Sequence, residues 1–152
     1  MSGTMDTIGR GFIAGFIASL AVSWLLDPVV ALTTLVWNSP SAAGWPLHFF
    51  VGTVVWGVGF ALLHNYMFGP AWLRGITFAL GAWLLVMLLA LPLACAGLFG
   101  IRLGLSVPVL SLATHVIYGA VLGGVYGALL RRDESPPEPD AEAEKHLRPL
   151  AH

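Results

Sequence analysis

Charge is what this sequence has least of. Of its 152 residues only 10% are Asp, Glu, Lys or Arg, against about a quarter in an ordinary soluble domain. Apolar residues make up 57% of the chain and the mean hydropathy is +0.83, which excludes a soluble globular protein. Seven basic residues against eight acidic ones leave no basic surface to neutralise phosphates, so nucleic acid is excluded as a main partner. A single cysteine, Cys95, excludes an internal disulfide and any cysteine-rich metal site. Catalytic signatures are missing too. The chain holds no P-loop, HExxH, GxSxG or CxxC, and no nucleophile, base and orienting acid occur together, which argues against a hydrolase.

The few charges are unevenly placed. Between residues 11 and 130 the only charged side chains are Asp27, Arg74 and Arg102, whereas six of the eight acids lie beyond residue 132. The chain therefore divides into a membrane body, 1–132, and a polar tail, 133–152. The tail is rich in Pro, Glu and Ala. It lacks the apolar surface that would offset its ordering entropy, so disorder is expected there.

A hydrocarbon core of about 30 Å needs roughly 20 apolar residues per helical crossing. Four segments meet that length, at about 8–27, 47–66, 73–95 and 108–130. No alternating pattern suggests a barrel, and backbone groups in lipid must be satisfied within the segment, so the segments are read as helices. The expected fold is an all-α membrane protein, a four-transmembrane-helix bundle. The first segment does not read as a cleaved signal peptide. Its only preceding base, Arg10, lies near an acid, Asp6, and Asp27-Pro28 stands where small cleavage-site residues belong. With four crossings, Arg10, Arg74, Arg131, Arg132, Lys145 and Arg148 fall on one side and Arg102 alone on the other. The positive-inside bias then puts both termini in the cytoplasm, with Trp37 and Trp45 at the outer interface and Tyr66 and Trp72 at the inner one. The outer connections, 29–37 and 93–105, stay apolar. Either they lie in the outer interface as short or re-entrant pieces, or helices one and three extend, bent at Pro28 and Pro92.

The two halves resemble each other. Arg10-Gly11 precedes Pro28 and Arg74-Gly75 precedes Pro92, with 18 residues from Arg to Pro in both. HFFVGTVVWGVGFALL (48–63) and HVIYGAVLGGVYGALL (115–130) share His at the first position, Gly at the fifth and tenth, and a closing Leu-Leu. A duplicated helical hairpin accounts for both landmarks and implies a pseudo-twofold axis along the membrane normal. It makes His48 and His115 equivalent, each about 22 Å along the helix from its cytoplasmic end and so in the outer third of the bilayer.

Small residues recur at intervals of four. Helix one carries Gly11, Gly15, Ser19 and Ser23, ending at Asp27; helix four carries Gly119, Gly123 and Gly127; helix two offers Gly52, Gly57 and Gly59. Such stripes let helix backbones approach where lipid removes the hydrophobic drive. They serve either packing within the chain or contacts in an oligomer.

Asp27, His48 and His115 are the ionisable groups that could carry chemistry, because charge inside a membrane is costly. One reading joins them as a proton relay or a divalent-metal site, or clamps a haem b between His48 and His115, with Gly52 and Gly119 one turn below giving a flat ring space. The other has each histidine hydrogen-bonded across the helices or to interfacial water, with Asp27 as a helix cap or turn opener at the headgroups. His64 reads as a solvated helix-end residue, Arg10 and Arg74 as snorkelling anchors, and Cys95 as a small hydrophobe. Arg102 could pair with Asp27 or meet a lipid phosphate.

The runs GWPLHFFVGTVVWGVGFALL, RGITFALGAWLLVMLLALPLACAGLFG and HVIYGAVLGGVYGALL together resemble a family of small four-helix bacterial inner-membrane proteins known only as a domain of unknown function. There is a looser likeness to the YagU-type inner-membrane proteins. The resemblance covers roughly 8–130, and His48, His115 and the loop 94–100 match its recognisable positions. It implies a bacterial cytoplasmic membrane and four crossings, and it supplies no activity. The function expected is a non-enzymatic structural, accessory or assembly module embedded in the bilayer, as a homo-oligomer or within a larger membrane complex, with no cofactor. The alternatives are a haem- or metal-binding redox protein using His48 and His115, and a small oligomeric channel or carrier with Asp27 at its mouth.

Overall fold

The computed structural model describes residues 2–23 and 41–134. Asp27, Trp37, the connection 29–37 and the tail from 135 onward lie outside the described residues.

The described chain is helical, with no strand among the described residues. Helix α1 is Ser2–Ser23. Helix α2 joins an α-helical piece, Ser41–Phe50, to a π-helical stretch, Val51–Val58, an α-helical turn, Gly59–Leu63, and a closing 3-10 turn, His64–Tyr66. Helix α3 runs through Ala71–Leu85, a π-helical turn at Val86–Ala90 and Leu91–Leu93. A 3-10 segment, Leu98–Leu103, leads into α4, Ser106–Glu134. Four helices are long and apolar enough to cross a membrane: Gly3–Ser23, Trp45–Tyr66, Ala71–Leu93 and Ser106–Asp133.

The boundaries differ from the hydropathic ones for physical reasons. Helix α1 starts at Ser2, because polar residues continue a helix past the apolar stretch at no cost to its backbone ladder. Helix α4 likewise runs to Glu134, so Asp133 belongs to a helix and not to the tail. Helix α3 stops at Leu93. Pro92 donates no N–H, and the π-helical turn just before it takes up the shifted ladder.

Beyond Pro92 the chain forms a capped end, not a longer helix. The N–H of Ala96 donates to Leu91 O at 2.9 Å and that of Cys95 to Pro92 O at 3.0 Å. This is the Schellman pattern of bonds. Its left-handed position, normally a glycine, is Cys95 with φ of 60°. The connection then folds back on the helix end. Ala96 packs with Met87 and Leu91, Phe99 with Trp83 at 5.7 Å between ring centroids, and Gly100 is buried at φ of 65°. Of the two readings of 93–105, the short folded piece is the one observed.

Packing puts small residues inside and large ones outside. On α1, Gly11, Ala14, Gly15, Ala18 and Ser19 are buried, while Phe12, Ile13, Phe16, Ile17 and Leu20 are exposed. In α1 against α2, a methyl group at Gly15 would lie 2.7 Å from Gly57 Cα, and one at Gly11 would lie 2.6 Å from Ala61 Cβ. In α3 against α4, a methyl at Gly75 would collide with the Gly119 carbonyl oxygen, and one at Gly123 with the Ala71 carbonyl oxygen. Gly127 meets Ala71 Cβ in the same seam. Both hairpins therefore close by glycine contact, in different registers. Gly52 faces Ser19 of α1, whereas Gly119, its counterpart in the matched sequence, faces Gly75 and Ala79 of α3. The matched runs also differ in helix type, π-helical over much of the first and α-helical throughout the second.

The seam predicts an asymmetric mutational response. Gly75→Ala should force α3 and α4 apart and lower unfolding free energy by about 1–3 kcal/mol. Gly81→Ala, where nothing lies within 4 Å, should be neutral or stabilising by up to about 1 kcal/mol. Denaturant titration in detergent micelles checks both.

Candidate functional site

Polar groups gather where α1, α2 and α4 meet. The π-helical stretch of α2 shifts backbone bonding from four residues to five, and the Gly52 carbonyl in it accepts a hydrogen bond from Tyr118 Oη of α4 at 2.5 Å. Tyr118 is buried, so its hydroxyl needs a partner, and this bond ties two helices 66 residues apart. Ser19 of α1 packs its hydroxyl against Gly52, in the space a side chain would occupy. The Ser19 carbonyl accepts from Ser23 Oγ at 2.7 Å and contacts His48 Nε2 at 3.5 Å.

The two predicted histidines serve different carbonyls. His48 reaches from α2 to the Ser19 carbonyl of α1, with its ring edge toward Trp45 and Phe49. His115 donates Nδ1–H to Ser111 O of its own helix at 2.7 Å. Among the described residues no hydrogen bond or ring contact joins the two imidazoles, and no group of three His, Cys, Asp or Glu is placed to hold a metal ion. The space expected beside the glycines is filled. Ser19 and Tyr118 stand against Gly52, and Gly75, Ile76 and Ala79 against Gly119. Asp27, the third member of the expected site, lies outside the described residues.

A second polar group lies at the opposite end of the helices. His64, which its sequence position places in solvent, is instead 5% exposed. Its ring packs against Tyr126 at 4.8 Å and Phe60 at 5.4 Å. Nδ1 bonds Asn65 Oδ1 at 3.3 Å, and Nε2 faces Arg74 Nη1 at 3.5 Å. An amide oxygen on one side and a guanidinium on the other fit an imidazole that donates from Nδ1 and accepts at Nε2. The two arginines read as snorkelling anchors make bonds within the chain. Arg74 donates to the Gly69 and His64 carbonyls at 2.7 and 3.3 Å, bracing the turn between α2 and α3. Arg10 holds Asp133 through Nε and Nη2, at 2.8 and 2.6 Å, joining α1 to α4. At the other end Arg102 donates to Cys95 O at 3.2 Å and so helps hold the folded connection. Cys95, read as a small hydrophobe, is exposed and serves as the left-handed cap residue.

Sequence reasoning missed Tyr118, Thr53 and the His64–Arg74 contact. Tyr118 carried a usable signal: a tyrosine deep in an apolar span, not at its edge, must find a partner for its hydroxyl. Thr53 gave none, because a lone threonine in a membrane helix ordinarily bonds its own backbone.

Tyr118→Phe removes the bond between α2 and α4 at the Gly52 carbonyl. Stability should fall by about 0.5–2 kcal/mol, a range set by the modest value of interhelical hydrogen bonds in membranes. Tyr126→Phe makes the comparison, since that side chain packs mainly through its ring. The pair is read by the same micellar titration.

Comparison with curated proteins and with solved structures finds no match. Residues 5–136 match a family of unknown function, DUF6789. That span includes every described helix except the first three residues of α1, and both polar groups. The chain therefore belongs to the family of unknown function DUF6789.

Proposed function

We propose that this protein is a multi-pass component of the bacterial cytoplasmic membrane, with both termini inside, that acts as a non-enzymatic structural or assembly module. The observation that carries the reading is where the side chains of each class are spent. Gly11, Gly15, Gly57, Gly75, Gly119 and Gly123 are consumed in the seams, and Arg10, Arg74 and His115 in bonds to Asp133 or to backbone carbonyls. Large apolar side chains face outward, among them Phe16 on α1, Leu88 on α3 and Val109 on α4. The excess of Arg and Lys on the side of the termini supports the orientation.

Two experiments test this. In a Cys95→Ser background, a membrane-impermeant maleimide should label Arg102→Cys in intact spheroplasts and Phe68→Cys only after lysis; the reverse pattern overturns the orientation. For the assembly role, a photoreactive amino acid is placed at Phe16, Leu88 or Val109 in the native membrane. At one or more positions it should give a protein adduct of a single defined mass. Adducts with lipid alone at all three overturn the assembly reading.

A further inference from the structure

The connection between α3 and α4 commits only some of its side chains to the protein. Ala96, Phe99 and Leu103 form one cluster with Trp83, Met87 and Leu91 of α3. Gly100 is buried among them, and a methyl group there would lie 3.0 Å from the Leu91 side chain and 3.3 Å from that of Val107. Trp83 stands ten residues before Leu93, about 15 Å back along the helix. The Phe99 ring that meets it therefore reaches into the span and not away from it. Leu98 and Ile101 of the connection, with Leu93 and Leu105 at its two ends, are left 61–76% exposed.

The shape that divides these residues is fixed. Cys95, Gly97, Phe99, Gly100 and Gly104 all take positive φ, and a residue as bulky as Phe99 is rarely found there unless packing holds it. The N–H groups of Ala94, Cys95, Ala96, Gly100, Arg102, Gly104 and Val107 all donate to carbonyls of the connection or of the end of α3. Irregular backbone is tolerated at membrane depth only where protein satisfies its polar groups.

Depth follows from the helix rise. Arg74 braces the turn between α2 and α3, and Leu93 is 19 residues further on, about 28 Å at 1.5 Å per residue. With that turn at one boundary of a hydrocarbon core about 30 Å thick, Leu93 stands near the other, and a connection folded back from it lies at the boundary or below. The exposed leucines of α3, Leu85, Leu89 and Leu93, lead into it. Arg102 is the only Asp, Glu, Lys or Arg between residues 75 and 130. Its stem lies along Gly97, and Nη1 donates to Cys95 O. This holds the guanidinium at the cap of α3, with no acid beside it among the described residues. A cation fixed at the boundary, next to aliphatic side chains that the protein leaves uncovered, matches a phospholipid in both its phosphate and its acyl chains.

We propose that the connection 94–105 is a re-entrant piece seated in lipid, with Leu98 and Ile101 against acyl chains and the Arg102 guanidinium on a phospholipid phosphate. This rests on the chain spanning a membrane. It is independent of the side on which the termini lie and of any assembly role.

Nitroxide labels in a Cys95→Ser background test it, on the purified protein in phosphatidylcholine vesicles made in phosphate-free buffer. Leu98 and Ile101 are exposed, so a label at either leaves the packed side of the connection in place. Labels at Leu98→Cys and Ile101→Cys should collide several-fold more with oxygen, which partitions into lipid, than with a water-soluble nickel chelate. A label at Arg132→Cys, exposed at the far end of α4, should show the reverse. Nickel collisions at Leu98 and Ile101 that match those at Arg132 would put the connection in water. Shielding from both reagents would put it under protein. Either result overturns the proposal. Carbon NMR with phosphorus dephasing on arginine-labelled protein reads the phosphate contact. The guanidinium signal lost in Arg102→Gln should dephase on lipid phosphorus, and a signal that does not overturns that contact.

Discussion

The structure depends on backbones meeting without side chains between them. Lipid tails are as apolar as leucine, so burying leucine between helices in a membrane gains little, and association falls to close packing and hydrogen bonds. This chain meets that condition in two seams, Gly11 and Gly15 against Gly57, and Gly75 against Gly119 and Gly123. Each seam permits contact that a single methyl group would block. The large residues are then free to face outward, as they do on α1.

Close approach leaves a backbone problem that the chain solves in unusual ways. Pro92 removes a donor near the end of α3, and the ladder answers with a π-helical turn before it and a Schellman cap after it. The cap places Cys95 in a conformation that favours glycine, a strain of about 1–2 kcal/mol. Packing of Ala96 and Phe99 on the helix end holds that strained turn in place. In α2 the longer π-helical stretch turns a carbonyl toward α4, where Tyr118 takes it. The first irregularity is completed by the chain's own cap and the second by a side chain from another helix.

The parts legible in the sequence are those written in spacing. Glycines at intervals of four on α1 and α4 mark faces that can approach another helix, and runs of about 20 apolar residues mark the spans. Partners are not legible. Gly75 stands out in the sequence only as half of the Arg-Gly landmark, yet it makes the closest contacts of the α3–α4 seam. The helix register that opposes it to Gly119 is a tertiary fact. His64 looks solvated because it ends an apolar run beside Asn65, and only the fold brings Tyr126 and Arg74 to its ring. His48 and His115 share a place in the matched runs and still meet different carbonyls, Ser19 O on a neighbouring helix and Ser111 O on the histidine's own. Sequence similarity between halves determines neither register nor partner.

The seams alone would leave two separate hairpins, α1 with α2 and α3 with α4. Polar and aromatic contacts tie the pairs together. Tyr118 binds α4 to α2 through Gly52, Arg10 binds α1 to α4 through Asp133, and Arg74 binds α3 to the end of α2 at His64. Phe60 and Phe78 add a ring contact between α2 and α3 at 5.6 Å. The ties differ in kind along the membrane normal. The Arg10–Asp133 pair is partly exposed and contributes at most about 1 kcal/mol after solvent screening. The bond to Gly52 is buried, away from the solvent that screens the ion pair. The Gly52 bond is therefore the firmer of these two ties, and at the end where Arg10 lies the buried contacts of His64 with Tyr126 and Arg74 add to the ion pair.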